Sequence, residues 1–440
     1  MSIHSHLLYC LIAFGTALPL VAGAQTTAPA PKVDIPWDWS GVIGTGQSLA
    51  IGQLGRPAAS TQQAHHNLML STGKLPWPID PADASLEMVP LVEPIGRLAP
   101  GYPSSWPENI NGETPHAAMA DEVTALVKAA TGKDFISVHG EVGENGMGIR
   151  FLKKNPDKQG LNGHSFEASL VETKAITRLA KAAGKTYGIG AIIVTHGEND
   201  AGNAKYEEQL HQLWQDFNTD LPAITGQTQT IQMIVSQQNS SGNRSASALA
   251  QWKIGVDFPK EIVCSGPKYQ YPAPDGTHLN TEGYRELGEK YGQIYFERVI
   301  LGKDWQPLQP TKAQHDGKTI TVQFHVPVPP LAWETAFDSP HQNVEEWKLG
   351  KGFEVSTAGG QRVAITSAEI DGDAVVITCA TDAGAGARVS YALFGDRTKM
   401  AKPFPGTTHW GLLRDSDPFK GAATGKAQPN YAVAFEMTVP

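Results

Sequence analysis

The run "GIGAIIVTHG", residues 188–197, is apolar for most of its length and closes on a polar Thr-His-Gly. A strand with one face in water alternates apolar and polar residues, whereas a strand covered on both faces does not need to. Four other runs share this texture: "GVIGTG" (41–46), "FISVHGEV" (135–142), "TIQMIVSQQ" (230–238) and "EIVCSG" (261–266). Helical patterns fall between them. "TPHAAMADEVTALVKAATGK" (114–133) has Thr114 as its expected N-cap, Pro115 at the first helical position and Gly132 as its stop. "SFEASLVETKAITRLAKAAGK" (165–185), "YEEQLHQLWQDF" (206–217) and "GYRELGEKYGQIYFERVI" (283–300) keep apolar residues at helical spacing. Strand-then-helix alternation predicts a parallel sheet with helices on both faces, a doubly wound three-layer α/β domain over residues 39–303.

Outward from this core the texture changes twice. Residues 74–114 are rich in proline and lack periodicity, and a loop of that length in a compact domain is usually functional or disordered. Its Trp77, Tyr102 and Trp106 could stack on a sugar face, or pin the loop to its own domain. Beyond Lys303, "DWQPLQP" (304–310) reads as a linker. Then "KTITVQFHV", "KGFEVST", "QRVAITSAEIDGDAVVITCA", "ARVSYALFG" and "NYAVAFEMTV" follow with turn signals at Gly359-Gly360 and Asp371-Gly372. Residues 311–440 therefore form an all-β domain, most simply a sandwich. It is either a carbohydrate-binding module or a structural lid on the first domain.

The ends of the chain and its composition narrow the function. "LLYCLIAFGTALPLV" (7–21) followed by Ala22-Gly23-Ala24 reads as a signal peptide cleaved after Ala24, with a Pro/Ala linker over 25–38. The expected product is secreted or periplasmic. Among 440 residues, a formal net charge of −9 argues against nucleic acid and anionic membrane surfaces as partners, since both reward basic patches. Outside the signal segment only Cys264 and Cys379 remain, with no metal-ligand spacing. Two buried thiols are expected, though an oxidising compartment leaves a bridge open.

Three polar stretches follow strands or precede a helix: Gly46-Gln47-Ser48, Thr195 to Asp200, and Asp275 to Leu279. The carboxyl ends of strands are where open α/β sheets bind ligands. A serine hydroxyl needs an adjacent base, and that base needs an acid to fix its tautomer. Asp275 and His278, three residues apart, can supply both for Ser48, and a buried Asn199 amide suits an oxyanion. His196, Glu198 and Asp200 alternate as metal ligands might, but they also read as an ordinary polar loop without a second ligand cluster. His65-His66 is a helix start or a surface pair.

These blocks, in this order, resemble the SGNH (GDSL-like) hydrolase superfamily, and within it the sialate O-acetylesterase-like carbohydrate esterases, which open with GQS. Gly46-Gln47-Ser48 is similar to the nucleophile block, "GENDAG" (197–202) to the G-x-N-D block, and "DGTHLNTEGY" (275–284) to the D-x-x-H block. The resemblance covers 39–303. It implies a flavodoxin-like α/β/α sheet, a Ser48–His278–Asp275 triad, and an oxyanion hole from the Ser48 N–H, the Gly143 N–H and the Asn199 amide. Gly146 is the alternative to Gly143 in "GEVGENGMG". The implied activity is removal of acetyl, or another small acyl group, from a carbohydrate, with no cofactor or metal. Two departures stand out: Leu49 follows the serine where relatives often carry Asn, and Glu144-Asn145 interrupts the usual double glycine. A non-catalytic glycan-binding protein on the same scaffold, or a lipid or thioester hydrolase, are the alternatives.

Overall fold

Val42 and Ile43 face opposite ways on the first strand, and each lies in a different hydrophobic core. The computed structural model describes residues 33–72, 75, 78–95, 110, 112–155, 162–240, 244–395 and 409–440. Its main sheet has seven strands: β1 (Trp39–Gly46), β2 (Leu68–Ser71), β3 (Glu87–Pro90), β4 (Ser137–Glu141), β5 (Tyr187–Thr195), β6 (Gln232–Gln237) and β7 (Ile262–Pro267). Their order is β3-β2-β4-β1-β5-β6-β7, parallel except for β3, which runs antiparallel along the edge. The five strands foreseen in the sequence are β4-β1-β5-β6-β7, the flavodoxin-like order. β2 and β3 were not foreseen, and β3 interrupts the stretch read as a structureless loop. Trp77, Tyr102 and Trp106 lie outside the described residues, as does the segment read as a signal peptide.

The same alternation continues across the sheet. Ile192, Val194, Met233 and Val235 enter one core, while Ala191, Ile193 and Ile234 enter the other. The first core is closed by α3 (His164–Ala182), α4 (Tyr206–Thr225) and α5 (Ala246–Asp257), through residues such as Phe166, Phe217 and Ile254. The second is closed by α1 (His116–Thr131) and α6 (Thr281–Tyr295), through Met119, Val123, Leu287 and Tyr291. One turn of helix, α2 (Ile149–Leu152), follows β4, and α6 runs on into a π-helical turn, Phe296–Ile300. The cap of α1 differs from expectation by one residue: Pro115 is the N-cap, and Thr114 Oγ1 instead accepts the His116 N–H at 3.2 Å. Gly132 closes the helix in the left-handed conformation, as its position suggested.

The C-terminal region is all-β. One antiparallel sheet has the order β12-β13-β9-β8, from β8 (Gln309–Asp316), β9 (Thr319–His325), β12 (Ile365–Asp371) and β13 (Ala374–Cys379). A second has the order β11-β14-β16, from β11 (Phe353–Ser356), β14 (Arg388–Tyr391) and β16 (Phe435–Thr438). Short β10 (Ala332–Trp333) and β15 (Leu413–Arg414) pair with each other. Ile320, Val322 and Ile377 of the first sheet share a core with Phe353, Val389 and Phe435 of the second, which makes a sandwich. Gly372 adopts a positive φ of 58° in the two-residue turn between β12 and β13, at the Asp371-Gly372 signal.

Residues 33–440 form one compact unit. Tyr269, from the loop after β7, belongs to the sandwich core. The Gln237 side chain mimics a strand: its Nε2 donates to the Ala434 carbonyl at 2.8 Å, and its Oε1 accepts the Ala434 N–H at 2.7 Å. Cys264 and Cys379 are free and buried. Among the described residues no helix is long and apolar enough to cross a membrane.

Candidate active site

β1 and β5 are neighbours whose connections leave on opposite faces of the sheet, so a crevice opens at their carboxyl ends. Ser48 sits there, 4% exposed, in the turn that ends β1. Gly46 is required by close approach: a Cβ would lie 2.0 Å from the Thr195 carbonyl oxygen. That contact lets the Gln47 N–H reach the same carbonyl at 3.2 Å, tying the serine turn to the end of β5. The turn is closed by Ala50 N–H to Gln47 O at 2.8 Å and Gln53 N–H to Ser48 O at 3.0 Å. Leu49, the departure noted beside the serine, is 1% exposed and packs in the α1–α6 core.

His278 and Asp275 reach this serine from the loop before α6. Asp275 Oδ1 accepts the N–H groups of Thr277 at 2.9 Å and His278 at 2.7 Å, so the loop wraps around its own carboxylate. Oδ2 is 2.7 Å from His278 Nδ1, and His278 Nε2 is 2.8 Å from Ser48 Oγ. Burial works against the Asp275 charge, but the hydrogen bonds from the His278 ring and the two N–H groups outweigh it and hold the carboxyl down at about 2. An ionised Oδ2 accepts only, so Nδ1 carries the ring proton and Nε2 is left to accept from the serine hydroxyl. Leu279, buried in the core, and Asn280, which caps α6 by accepting the Gly283 N–H at 2.9 Å, anchor the loop from behind.

Asn199 lies in the loop after β5. Its backbone N–H donates to Gln47 Oε1 at 3.2 Å, so this loop is bonded to the serine turn. The side chain is exposed rather than buried as expected, and one Nδ2 proton goes to the Gly146 carbonyl at 2.8 Å. An amide nitrogen carries two protons, so that bond orients the other. Asn199 also lines an open cleft of about 340 Å³ with Gly148, Arg150, Asp200 and Asn203.

Gly143 differs from expectation. Its N–H donates to Glu141 Oε1 at 2.6 Å, so the donor is already engaged. Glu141, 1% exposed, is itself held at Oε2 by His116 Nε2 at 3.0 Å. Neighbouring bonds, Val142 N–H to Gly44 O at 3.0 Å and Glu144 N–H to Gly46 O at 3.1 Å, extend β4 along β1 up to the serine. Gly146, the alternative, has a φ of 71° and offers its carbonyl to Asn199.

Of the alternating His196, Glu198 and Asp200, His196 Nε2 lies 3.7 Å from Asp200 Oδ2, but the three do not form one ligand set. His196 donates from Nε2 to the Met147 carbonyl at 2.9 Å and accepts at Nδ1 from Tyr206 at 2.7 Å. Glu198 forms a buried pair with Lys268 at 2.9 Å. Burial pushes its carboxyl up, but the Lys268 charge wins and leaves it below its ordinary value. The pair bridges the loops after β5 and β7, and sequence reasoning missed Lys268 because the partners are seventy residues apart. Among the described residues, no group of three or more His, Cys, Asp or Glu side chains could hold a metal ion. His65 and His66 lie in a bend before β2 rather than at a helix start.

Residues 162–297 match the model of a carbohydrate esterase family described as sialic acid-specific acetylesterase. Among curated proteins, none matches the chain by sequence. Of solved structures, the carbohydrate acetylesterase XAC1771 from Xanthomonas citri superposes with a TM-score of 0.57 at 15% identity, over 90% of this chain and 80% of that one. A protein from Arabidopsis thaliana has a TM-score of 0.45 at 18% identity, over 60% of this chain and all (100%) of its own. Est24, a carbohydrate acetylesterase from Sinorhizobium meliloti, has a TM-score of 0.28 at 14% identity, over 58% and 96%. The first of these carries the likeness in fold to both the α/β sheet and the β region. Through its ordered motifs and the match over 162–297, the chain is similar to the sialate O-acetylesterase-like proteins of the SGNH hydrolase superfamily.

Proposed function

We propose that the chain is an exported serine esterase that removes O-acetyl groups from a carbohydrate through an acyl-enzyme. The observation that carries this reading is the unbroken line Asp275–His278–Ser48, at 2.7 and 2.8 Å, in the crevice at the strand ends. Ser48 Oγ attacks the ester carbonyl while its proton passes to His278 Nε2. Asp275, ionised throughout the neutral range, balances the imidazolium that forms. The proton then goes to the leaving sugar oxygen, and water, activated by the same nitrogen, releases acetate.

With the Gly143 N–H given to Glu141, the oxyanion falls to the Ser48 N–H and the free Nδ2 proton of Asn199. The cleft beside Asn199 supports a sugar over a lipid, because Arg150, Asp200 and Asn203 offer hydrogen bonds and no apolar channel for an acyl tail. The test is covalent labelling. A serine-directed organophosphate should add one mass to the peptide bearing Ser48, Ser48→Ala should remove both label and acetate release, and EDTA should leave both unchanged. Labelling elsewhere, or full acetate release by the alanine variant, would overturn the reading.

A further inference from the structure

Asn145-Gly146 stands where the usual double glycine is interrupted, in the turn between β4 and α2. An asparagine before a glycine can modify itself, because the glycine nitrogen lies near the side-chain amide and no side chain shields it. Whether it does so depends on how freely that nitrogen moves. Gly146 is exposed, and a Cβ built on it would meet nothing within 4 Å. Among the described residues its N–H donates to no acceptor, and the Asn145 side-chain amide has no hydrogen-bond partner. Only the carbonyl of Gly146 is held, by Asn199.

A second such pair, Asn162-Gly163, is packed instead. Gly163 is buried, its N–H donates to the Arg150 carbonyl at 3.2 Å, and a Cβ there would lie 2.6 Å from Asn155 Cβ. The Asn162 carbonyl accepts from Asn155 Nδ2 at 3.1 Å. A nitrogen held in a hydrogen bond keeps its proton, and packing stops it from swinging onto the neighbouring side chain. Of these two asparagines, only Asn145 is free to react.

We infer that Asn145 is a site of self-modification, converting to isoaspartate or aspartate and lowering turnover as it does so. The Gly146 nitrogen gives its proton to solvent base and attacks Asn145 Cγ; the new C–N bond forms as the Cγ–Nδ2 bond breaks and ammonia leaves. Water then opens the cyclic imide at either carbonyl. The net change is one water taken up and one ammonia released, with nothing oxidised or reduced. In isoaspartate the main chain runs through the former side chain, one methylene longer, and a free carboxylate is left beside it. The next residue is Gly146, whose carbonyl holds Asn199 Nδ2 at 2.8 Å. Lengthening the chain there shifts the group that orients the proposed oxyanion donor, and the added negative charge opposes the charge that develops on the substrate. This loss of turnover rests on the esterase reading above; the modification itself does not.

The experiment ages the full chain and its Asn145→Gln variant side by side, at pH 5 and at pH 8.5. Glutamine keeps an amide but closes the larger ring far more slowly, and both proteins share any general loss of stability at high pH. Samples are mapped by peptide mass for amide-to-acid conversion at 145 and 162, and assayed for kcat and KM on 4-nitrophenyl acetate. The Asn145 peptide should convert at pH 8.5, well ahead of the Asn162 peptide, and hardly at pH 5. Parental kcat should fall in step with conversion, by about tenfold when it is complete, with KM little changed. Asn145→Gln should start at the parental kcat and keep it. An unconverted Asn145, an Asn162 that converts as fast, equal decay of the glutamine variant, or full conversion with kcat intact would each overturn the inference while leaving the esterase reading standing. Fresh parent without turnover would take down that reading and the loss of turnover with it, while the mass maps would still decide whether Asn145 modifies itself.

Discussion

In the proposed mechanism Ser48 loses its proton to a nitrogen that has none of its own, and Asp275 decides which nitrogen that is. Its Oδ2 fixes the proton on Nδ1 of His278, 2.7 Å away. Asp275→Asn keeps an oxygen for the Thr277 and His278 N–H groups but places an amide donor against Nδ1. The ring then turns its proton toward Ser48, and kcat should fall by about 10³–10⁴ with the melting temperature held. A parental kcat in this variant would remove Asp275 from the mechanism. Asn199 makes a different claim: as the proposed oxyanion donor, its second Nδ2 proton would meet charge that exists only in the transition state. Asn199→Ala should lower kcat by about 10²–10³ while KM moves little. If its only role is to hold the Gly146 carbonyl, the variant will instead melt early and turn over normally. Melting temperature and kcat measured on one preparation separate these outcomes.

At the scale of elements, β1 is shaped by what its glycines leave room for. A Cβ on Gly44 would lie 2.0 Å from His116 Nε2 and 2.1 Å from Glu141 Oε2, so the buried His116–Glu141 pair occupies the space beside this strand. Gly44→Ala should cost about 1–3 kcal/mol by overpacking and displace the serine turn four residues on. A denaturation midpoint and activity that both match the parent would contradict this. The pair itself could not be read from the sequence, because it joins a helix to a strand 25 positions further on. For the same reason the engagement of the Gly143 N–H was invisible, although the ordered blocks around Ser48, Asn199 and Asp275 were plain. Long strands buried on both faces were legible through their continuous apolar runs. β2 and β3 were not, being four residues each and only partly buried. Helix α5 was missed for a subtler reason: its buried face includes Ser247 and Gln251, which bond the Gly197 and His196 carbonyls at 2.7 and 2.6 Å. A core face built from polar side chains leaves little apolar period to find.

Across the whole molecule, buried carboxyl groups join parts that the chain keeps far apart. Glu289 on α6 accepts the N–H groups of Ala423 and Thr424, the Thr424 hydroxyl and the Gln428 amide, at 2.5 to 2.8 Å. Glu122 on α1 accepts the Ala422 N–H at 2.6 Å. The sandwich is therefore fastened to the α1–α6 face through acids as well as apolar contact. Burial pushes the Glu122 carboxyl up to about 7. Burial again, followed by a neighbouring carboxylate (Glu113 and Glu141 respectively), pushes Glu93 and Glu172 up to about 8. A carboxyl raised in the fold holds a proton that the unfolded chain has released. Its contribution is fully present below the ordinary glutamate range and is lost as pH rises through the folded value. Asp275, held down at about 2, acts in the opposite sense and only in acid, below its ordinary 3.8. His139 and His196, which burial pushes below the ordinary histidine value of 6.5, act against the raised acids at lower pH. Between pH 6.5 and 8.5 the raised acids set the slope, so the melting temperature should decline across that window. Glu93→Gln isolates one of them: its amide oxygen can still accept from Thr114 Oγ1 or the Ile95 N–H, which now donate to the carboxyl group at 2.5 and 2.7 Å. The variant should melt close to the parent at pH 5 and above it at pH 8.5. Melting curves of the two proteins that run parallel from pH 5 to 8.5 would mean that Glu93 titrates as it does in the unfolded chain.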